Sequence, residues 1–220
     1  GPEALRFADA AFDYGAAGSS AETVPLMSGF RLSVPAGQKV AVLGRSGVGK
    51  STFAALAAGR LRPQEGEVRL FGRPTSRLSE EELSALVTYV QQDSYVFNLT
   101  LRENLLIGNA GADDDELRAA LRAVGLSELL AGLPAGLDTP LLEGGSRLSG
   151  GERVRVCLAR AYLRRSPVVL LDEPFASLDG RTRRLVMGTL MEAFSDRTVV
   201  VITHDERDLR LFDRVLLFET

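Results

Sequence analysis

The chain has 220 residues, 45% of them hydrophobic and 25% charged, the profile of a soluble globular domain with one sizeable core and no room for two full domains. A net charge of −3 gives no electrostatic footprint for DNA or RNA and argues against nucleic acid as a main partner. The single cysteine, Cys157, cannot form an intrachain disulfide, which points to a reducing compartment and to a small core residue on a helix. No apolar run is long enough to cross a bilayer, and no signal peptide is read at the start. The opening Gly1-Pro2 resembles a protease-cleavage scar, so the chain is expected to be a piece of a longer polypeptide.

Alternation of apolar and polar residues predicts strands over "LRFADAAFDY" and "FRLSVPAGQKVAVLG", separated by the small, polar loop "GAAGSSAETVP". A glycine-rich loop then leads into an apolar-periodic helix, "KSTFAALAAGRL", and "GEVRLFGRP" reads as a hairpin. From Ser79 to about Val124 the pattern is helical, in "SEEELSALV", "LRENLLIG" and "DDDELRAALRAVG", with the strand-like "LVTYVQ" inside it. The acidic run Asp113 to Glu116 suits the start of a helix, where negative charge complements the dipole, better than a metal site. "RLSGGERVRVCLARA" opens a further helix. "PVVLLDE" and "RTVVVITH" read as strands buried on both faces, with the amphipathic helix "TRRLVMGTLMEAF" between them and "RVLLFE" as a last buried strand.

Strands alternating with helices predict an α/β fold with a mostly parallel sheet and right-handed crossovers. The helical stretch interrupts that series. The expected division is a core over residues 1–92 and 165–220, including an N-terminal antiparallel β subdomain, with an inserted α-helical subdomain over residues 93–164.

The chemistry gathers at strand ends. Gly44-Arg45-Ser46-Gly47-Val48-Gly49-Lys50-Ser51 fits the phosphate-binding P-loop pattern and has the strand and helix that the motif requires. Backbone amides of Gly44, Ser46, Gly47 and Gly49 would curl round a phosphate, Lys50 would neutralise its oxygens, and Ser51 would ligate Mg2+. Asp172 and Glu173 end the strand "VVLL", on the rim where an open parallel sheet binds its ligands. One acid there would support Mg2+ and the other would polarise an attacking water. His204, the only histidine, follows "VVVIT" and could hydrogen-bond a γ-phosphate oxygen, while Gln92 could reach Mg2+ or the water. Ser149-Gly150-Gly151 forms a second anion cradle at a helix start, with no phosphate left for it within its own chain. Its anion is therefore expected on another chain.

Taken in order, "GRSGVGKS", "QQDSYVF", "LSGGE", "VVLLDE", "SLD" at Ser177 to Asp179 and "TH" at Thr203-His204 resemble the nucleotide-binding domain of ATP-binding cassette (ABC) transporters, over nearly the whole chain. The resemblance implies a P-loop NTPase fold of the RecA-like kind and an Mg-dependent ATPase. It implies that Tyr14 stacks on adenine, that Lys50, Ser51 and Thr52 hold phosphates and Mg2+, and that Gln92 senses Mg2+ and relays its state to a membrane domain through the following loop. It also implies that Asp172 supports Mg2+, Glu173 is the catalytic base, His204 contacts the γ-phosphate, Asp179 lies across a dimer interface, and Ser149, Gly150 and Gly151 bind the partner's ATP.

"DSYVFNLTLRENLLIG" and "TPLLEGGSRLSGGE" are similar to exporter patterns, although Leu142 stands where that pattern has a glycine and Glu152 where glutamine is commoner. "GGSRLSGGER" and the "THD…DL" ending are similar to the CydC type of heterodimeric bacterial exporter. The implied partners are a second nucleotide-binding domain, identical or not, and a transmembrane domain on the same or a partner polypeptide. The implied place is the cytoplasmic face of a bacterial inner membrane, with the excised domain itself soluble. Family members usually continue past the equivalent of Thr220. Two alternatives stay open: a non-catalytic, regulatory ATP-binding half of a heterodimer, and a soluble ABC ATPase outside transport, for which the interval from Lys50 to Ser149 lacks heptads.

Overall fold

The computed structural model describes residues 1–13, 27–91, 95–207 and 209–218. The chain divides into two compact units, one formed by Gly1–Tyr89, Ser166–Asp172 and Arg197–Thr220, the other by Val90–Arg165 and Glu173–Asp196.

The first unit holds two sheets. Strands β1 (Glu3–Phe12), β2 (Met27–Pro35), β4 (Glu65–Leu70) and β5 (Arg73–Pro74) form an antiparallel sheet in the order β2-β1-β4-β5. Phe7 stands opposite Leu32 on one side and Val68 on the other, which puts the apolar alternation of all three strands on one face. Phe71 and Gly72 turn β4 into β5 with φ of 47° and 77°, the left-handed pair that suits the twist of a tight hairpin.

The second sheet runs β6-β7-β8-β3-β9, from β6 (Val87–Val90), β7 (Val168–Asp172), β8 (Thr198–Ile202), β3 (Lys39–Gly44) and β9 (Arg214–Phe218). The pairs β7/β8, β8/β3 and β3/β9 are parallel. β7 and β8 are buried at every residue, as their unbroken apolar runs predict. Helix α1 (Lys50–Ala57) packs Phe53, Ala54 and Leu56 into a core shared with both sheets. Phe53 stacks on Phe7 at 5.0 Å, and Phe30 meets Phe218 at 5.6 Å. Each such ring pair adds about 0.5–1.5 kcal/mol beyond the area it buries. Helix α2 (Glu80–Leu86) completes the unit.

Two expectations for these strands need correction. "FRLSVPAGQKVAVLG" is not one strand: the chain turns at residues 36–38, where Gly37 has φ 83° and Gln38 N–H donates to the Pro35 carbonyl at 3.3 Å. The turn sends β2 and β3 into different sheets. "RVLLFE" is a strand but not a buried one, because β9 is the last strand of its sheet and leaves Val215 38% and Leu217 67% exposed.

The second unit is helical, with α3 (Leu101–Leu106), α4 (Asp114–Ala123), α5 (Ser127–Gly132), α6 (Gly150–Arg164) and α7 (Gly180–Ala193). Its helix starts are written into the sequence. Thr100 with Glu103, Asp113 with Glu116 and Ser149 with Glu152 each form both halves of a capping box, and the Asp179 side chain caps α7. Each cap contributes about 1 kcal/mol. The acidic run from Asp113 is thus a helix start, as its composition predicts. Leu117 and Leu121 of α4, Val156 and Leu158 of α6, and Val186 and Leu190 of α7 are fully buried.

The architecture is the expected one: an α/β chain with a parallel core sheet, an antiparallel sheet and a helical unit.

Candidate nucleotide site

Register places the ends of β3, β8 and β7 side by side. Val42 pairs with Ile202, and Ile202 with Asp172. At about 4.8 Å between neighbouring strands, Val42 and Asp172 are roughly 10 Å apart across β8. Thr203 N–H donates to the Val42 carbonyl at 3.0 Å, which carries the ladder one residue past β8 and brings His204 to the same edge.

From Gly44 the chain curls rather than extends. Gly47 and Gly49 take φ of 84° and 98°, a backbone that side chains disfavour and that lets the loop close on itself. The Lys50 ammonium, 8% exposed, donates to the carbonyls of Gly44 at 2.7 Å and Arg45 at 2.9 Å, so the loop wraps around a fixed positive charge. Gly49 caps α1 without any side-chain hydrogen bond, which leaves the first-turn amides for an outside acceptor. Amides at a helix start, a buried ammonium and an exposed Ser51 hydroxyl fit a phosphate group. Ser46 and Gly47 are exposed at the mouth of the loop, while Gly49 and Thr52 are buried beneath it. On the β9 side of the loop a cleft of about 500 Å3 is lined by Gly44, Arg45, Val48, His204, Glu206 and Phe218.

Asp172 is 4% exposed and accepts a 3.2 Å hydrogen bond from the Tyr89 hydroxyl, whose ring lies under the Arg60 guanidinium at 4.9 Å. A buried carboxylate needs such partners. Among the described residues no group of three or more His, Cys, Asp or Glu side chains could hold a metal ion alone. A serine hydroxyl and one carboxylate suit Mg2+, which takes one or two carboxylates together with phosphate oxygens. His204 is exposed.

In the second unit, half-buried Glu173 has φ 48°, a left-handed conformation that costs a non-glycine residue on the order of 1–3 kcal/mol. Ser149 and Gly150 are exposed at the start of α6. The Ser149 hydroxyl accepts from Glu152 N–H at 3.3 Å, and the Glu152 carboxylate accepts from Ser149 N–H at 2.7 Å. Gly151 has no alternative: a Cβ there would lie 2.9 Å from Leu178 Cδ2. One residue on, Asp179 accepts from Arg181 and Thr182 N–H, both at 3.0 Å. Hydrogen bonding to Thr182 holds its carboxyl below the usual aspartate range.

Tyr14 and Gln92 lie outside the described residues. Beyond Gln92 the chain presents Tyr95, Phe97 and Leu99, which are 55%, 43% and 39% exposed. The segment is held from beneath. Asn104, fully buried, accepts from Phe97 N–H at 3.0 Å and donates to the Phe97 carbonyl at 3.1 Å. Arg160 donates to the carbonyls of Asn104 and Tyr95, both at 2.7 Å, and sits 5.4 Å from the Phe97 ring.

Sequence reasoning missed Tyr89, Asn104 and Arg160. Asn104 had a visible signal, since it shares the core face of α3 with Leu101 and Leu105 and a polar residue there must find partners.

Residues 27–176 match the family model described as ABC transporter. The chain is 40% identical over 193 residues to the glutathione/L-cysteine transport system ATP-binding/permease protein CydC of Escherichia coli, covering 88% of this chain and 33% of that protein. It is 39% identical over 215 residues to the mycobactin import ATP-binding/permease protein IrtB of Mycolicibacterium thermoresistibile, covering 98% of this chain and 36% of that one. Among solved structures, a bacterial Atm1-family ABC exporter with ATP bound superposes with a TM-score of 0.90 at 32% identity, covering 99% of this chain and 37% of the exporter chain. The chain thus spans about a third of the length of the proteins it matches.

Proposed function

Because the chain belongs to the ABC transporter family and carries its ATP-binding domain, an ATPase with the P-loop NTPase fold, we propose that it is the motor of a CydC-like membrane exporter, hydrolysing Mg-ATP in a head-to-tail dimer. The observation that carries this reading is the pair of phosphate cradles. One surrounds Lys50, and the other opens α6 at Ser149 with exposed backbone. One ATP needs only the first. The second is half of a site completed by another nucleotide-binding domain, identical or not.

In that site Lys50 and the amides of Gly44 to Ser51 bind the β- and γ-phosphates, and Tyr14 stacks on adenine. Ser51, Asp172 and Gln92 would hold Mg2+, with Thr52 beside them, and the ion supplies charge neutralisation between the phosphates. The Glu173 carboxylate orients a water in line with the γ-phosphorus and takes its proton as the new P–O bond forms and ADP leaves. His204 donates to a γ-phosphate oxygen as negative charge gathers there. Ser149, Gly150 and Gly151 close on the γ-phosphate from the partner chain.

The relatives named ATP-binding/permease proteins support a transmembrane partner on the same or a second polypeptide, with this domain at the cytoplasmic face of the membrane. Exposed Tyr95, Phe97 and Leu99, just beyond Gln92, suit contact with it. One relative is named for import, so direction belongs to the proposal and rests on the likeness to the Atm1-family exporter.

The test is ATP turnover by the chain at rising concentration. A rate per molecule that climbs with concentration supports catalysis in a dimer. Normal ATP binding with no turnover at any concentration replaces this reading with a regulatory, non-catalytic module.

A further inference from the structure

Leu142 has φ 63° and ψ 177°, a region of backbone space that essentially belongs to glycine. The chain does not lack glycine nearby, since Gly144 and Gly145 follow within three residues. The strained leucine also gains little inside the chain, because it stays 41% exposed. Its neighbour Leu141 does the packing and is fully buried.

The position of Leu142 is fixed by a short ladder within the helical unit. Leu141 N–H donates to the Leu99 carbonyl at 2.9 Å, Thr100 and Pro140 form a bridge, and Leu101 N–H donates to the Thr139 carbonyl at 3.0 Å. Gly145 N–H then donates to the Leu142 carbonyl at 3.1 Å and starts the next turn. Leu142 therefore directly follows the ladder partner of Leu99, and Leu99 continues the exposed apolar series of Tyr95 and Phe97. Asn104 and Arg160 hold that series rigid from below.

We infer that Leu142 is a specificity-determining contact with the membrane-spanning part of the transporter, an apolar side chain held outward at a backbone cost the fold does not repay. This rests on the proposed function. The relatives supply the occupant: about two-thirds of each lies outside the match, in proteins named ATP-binding/permease. An apolar side chain added to an aromatic patch selects a partner by shape and apolar area, where a glycine would present only backbone.

The test uses the full-length transporter with a photoreactive residue, p-benzoylphenylalanine, placed in turn at positions 142, 97 and 185. Leu185 is 61% exposed on α7 and serves as the control. Adducts from 142 that map to the membrane-spanning part, with none from 185, support the inference. Adducts from 97 but not 142 overturn it and leave the proposed function standing. No adduct from either 97 or 142 overturns both the inference and the docking reading. In the same protein Leu142→Gly releases the strain and raises the unfolding midpoint of this domain by roughly 2–4 °C. A lower midpoint would show that Leu142 serves the fold itself and would equally overturn the inference.

Discussion

The Lys50 ammonium donates to the Gly44 carbonyl at 2.7 Å, so the helix that follows the phosphate loop reaches back and fastens the strand end that precedes it. The same ammonium is placed to meet phosphate. Removing it takes away a charge-assisted hydrogen bond worth about 1.5–3 kcal/mol. Lys50→Ala is expected to weaken ATP binding roughly 10- to 100-fold, measured by titration calorimetry on the chain.

Glu173 holds its left-handed φ through its backbone, and glutamine makes the same backbone demand. Glu173→Gln should therefore keep the fold and the affinity for ATP while turnover falls by about 10²- to 10⁴-fold, the usual worth of a general base. Phosphate release assays check the rate. Turnover at the unmutated rate would remove Glu173 from the role of base.

Gly151→Asp drives a side chain into Leu178, whose Cδ2 lies 2.9 Å from the position of the new Cβ, and puts a negative charge beside the α6 cradle. Turnover and ATP-driven dimerisation should collapse, while ATP binding by the monomer stays near normal. Equal damage to monomer binding, as in Lys50→Ala, would show that the second cradle does not act on a partner's nucleotide.

Glu152 caps its own helix but carries a charge that glutamine would not. Glu152→Gln preserves an acceptor for Ser149 N–H and removes a negative charge from the helix start that is to receive phosphate. The expected gain in ATP-driven dimerisation is about 1 kcal/mol, or roughly five-fold, smaller at high salt. Sedimentation of the dimer with ATP bound reads it directly.

Arg102 ties α3 to two carboxylates, Asp138 at 2.6 Å and Asp114. Its hydrogen bonds lower both aspartates below their ordinary value of 3.8. A depressed carboxylate pKa stabilises the folded chain in full above the unfolded value, and that contribution is lost as pH falls through the lowered folded value. Arg102→Ala should therefore melt earlier at neutral pH, and the gap to the unmutated chain should close as the pH drops below 3.8. A gap that persists in stronger acid would assign the effect to packing of the arginine stem.

The strand ends were readable because the motif residues terminate unbroken apolar runs, and a run such as "VVLLD" permits only a doubly covered strand. Helix starts were readable because a cap is a local arrangement, closed within four residues. What stayed hidden depends on neighbours. The run "RVLLF" does not state that β9 has a partner on only one side, and an alternation of apolar residues passes through the turn at residues 36–38 without a break. Asn104 and Arg160 are 56 residues apart in sequence and meet only in the folded chain. Leu142 could be noted as a departure from a family pattern, but its backbone angle appears only in three dimensions.

Helix α1 is the element that gives the chain a dependence on cellular energy charge. Its first turn lacks the side-chain cap that Ser149, Thr100 and Asp113 supply elsewhere, so dissolved nucleotide finishes the helix. A ligand that binds only the folded chain adds about 2.7 kcal/mol at a hundred times its dissociation constant. The lifetime of the protein against proteolysis should then follow the supply of ATP, and a starved cell would clear an idle motor sooner than a working one.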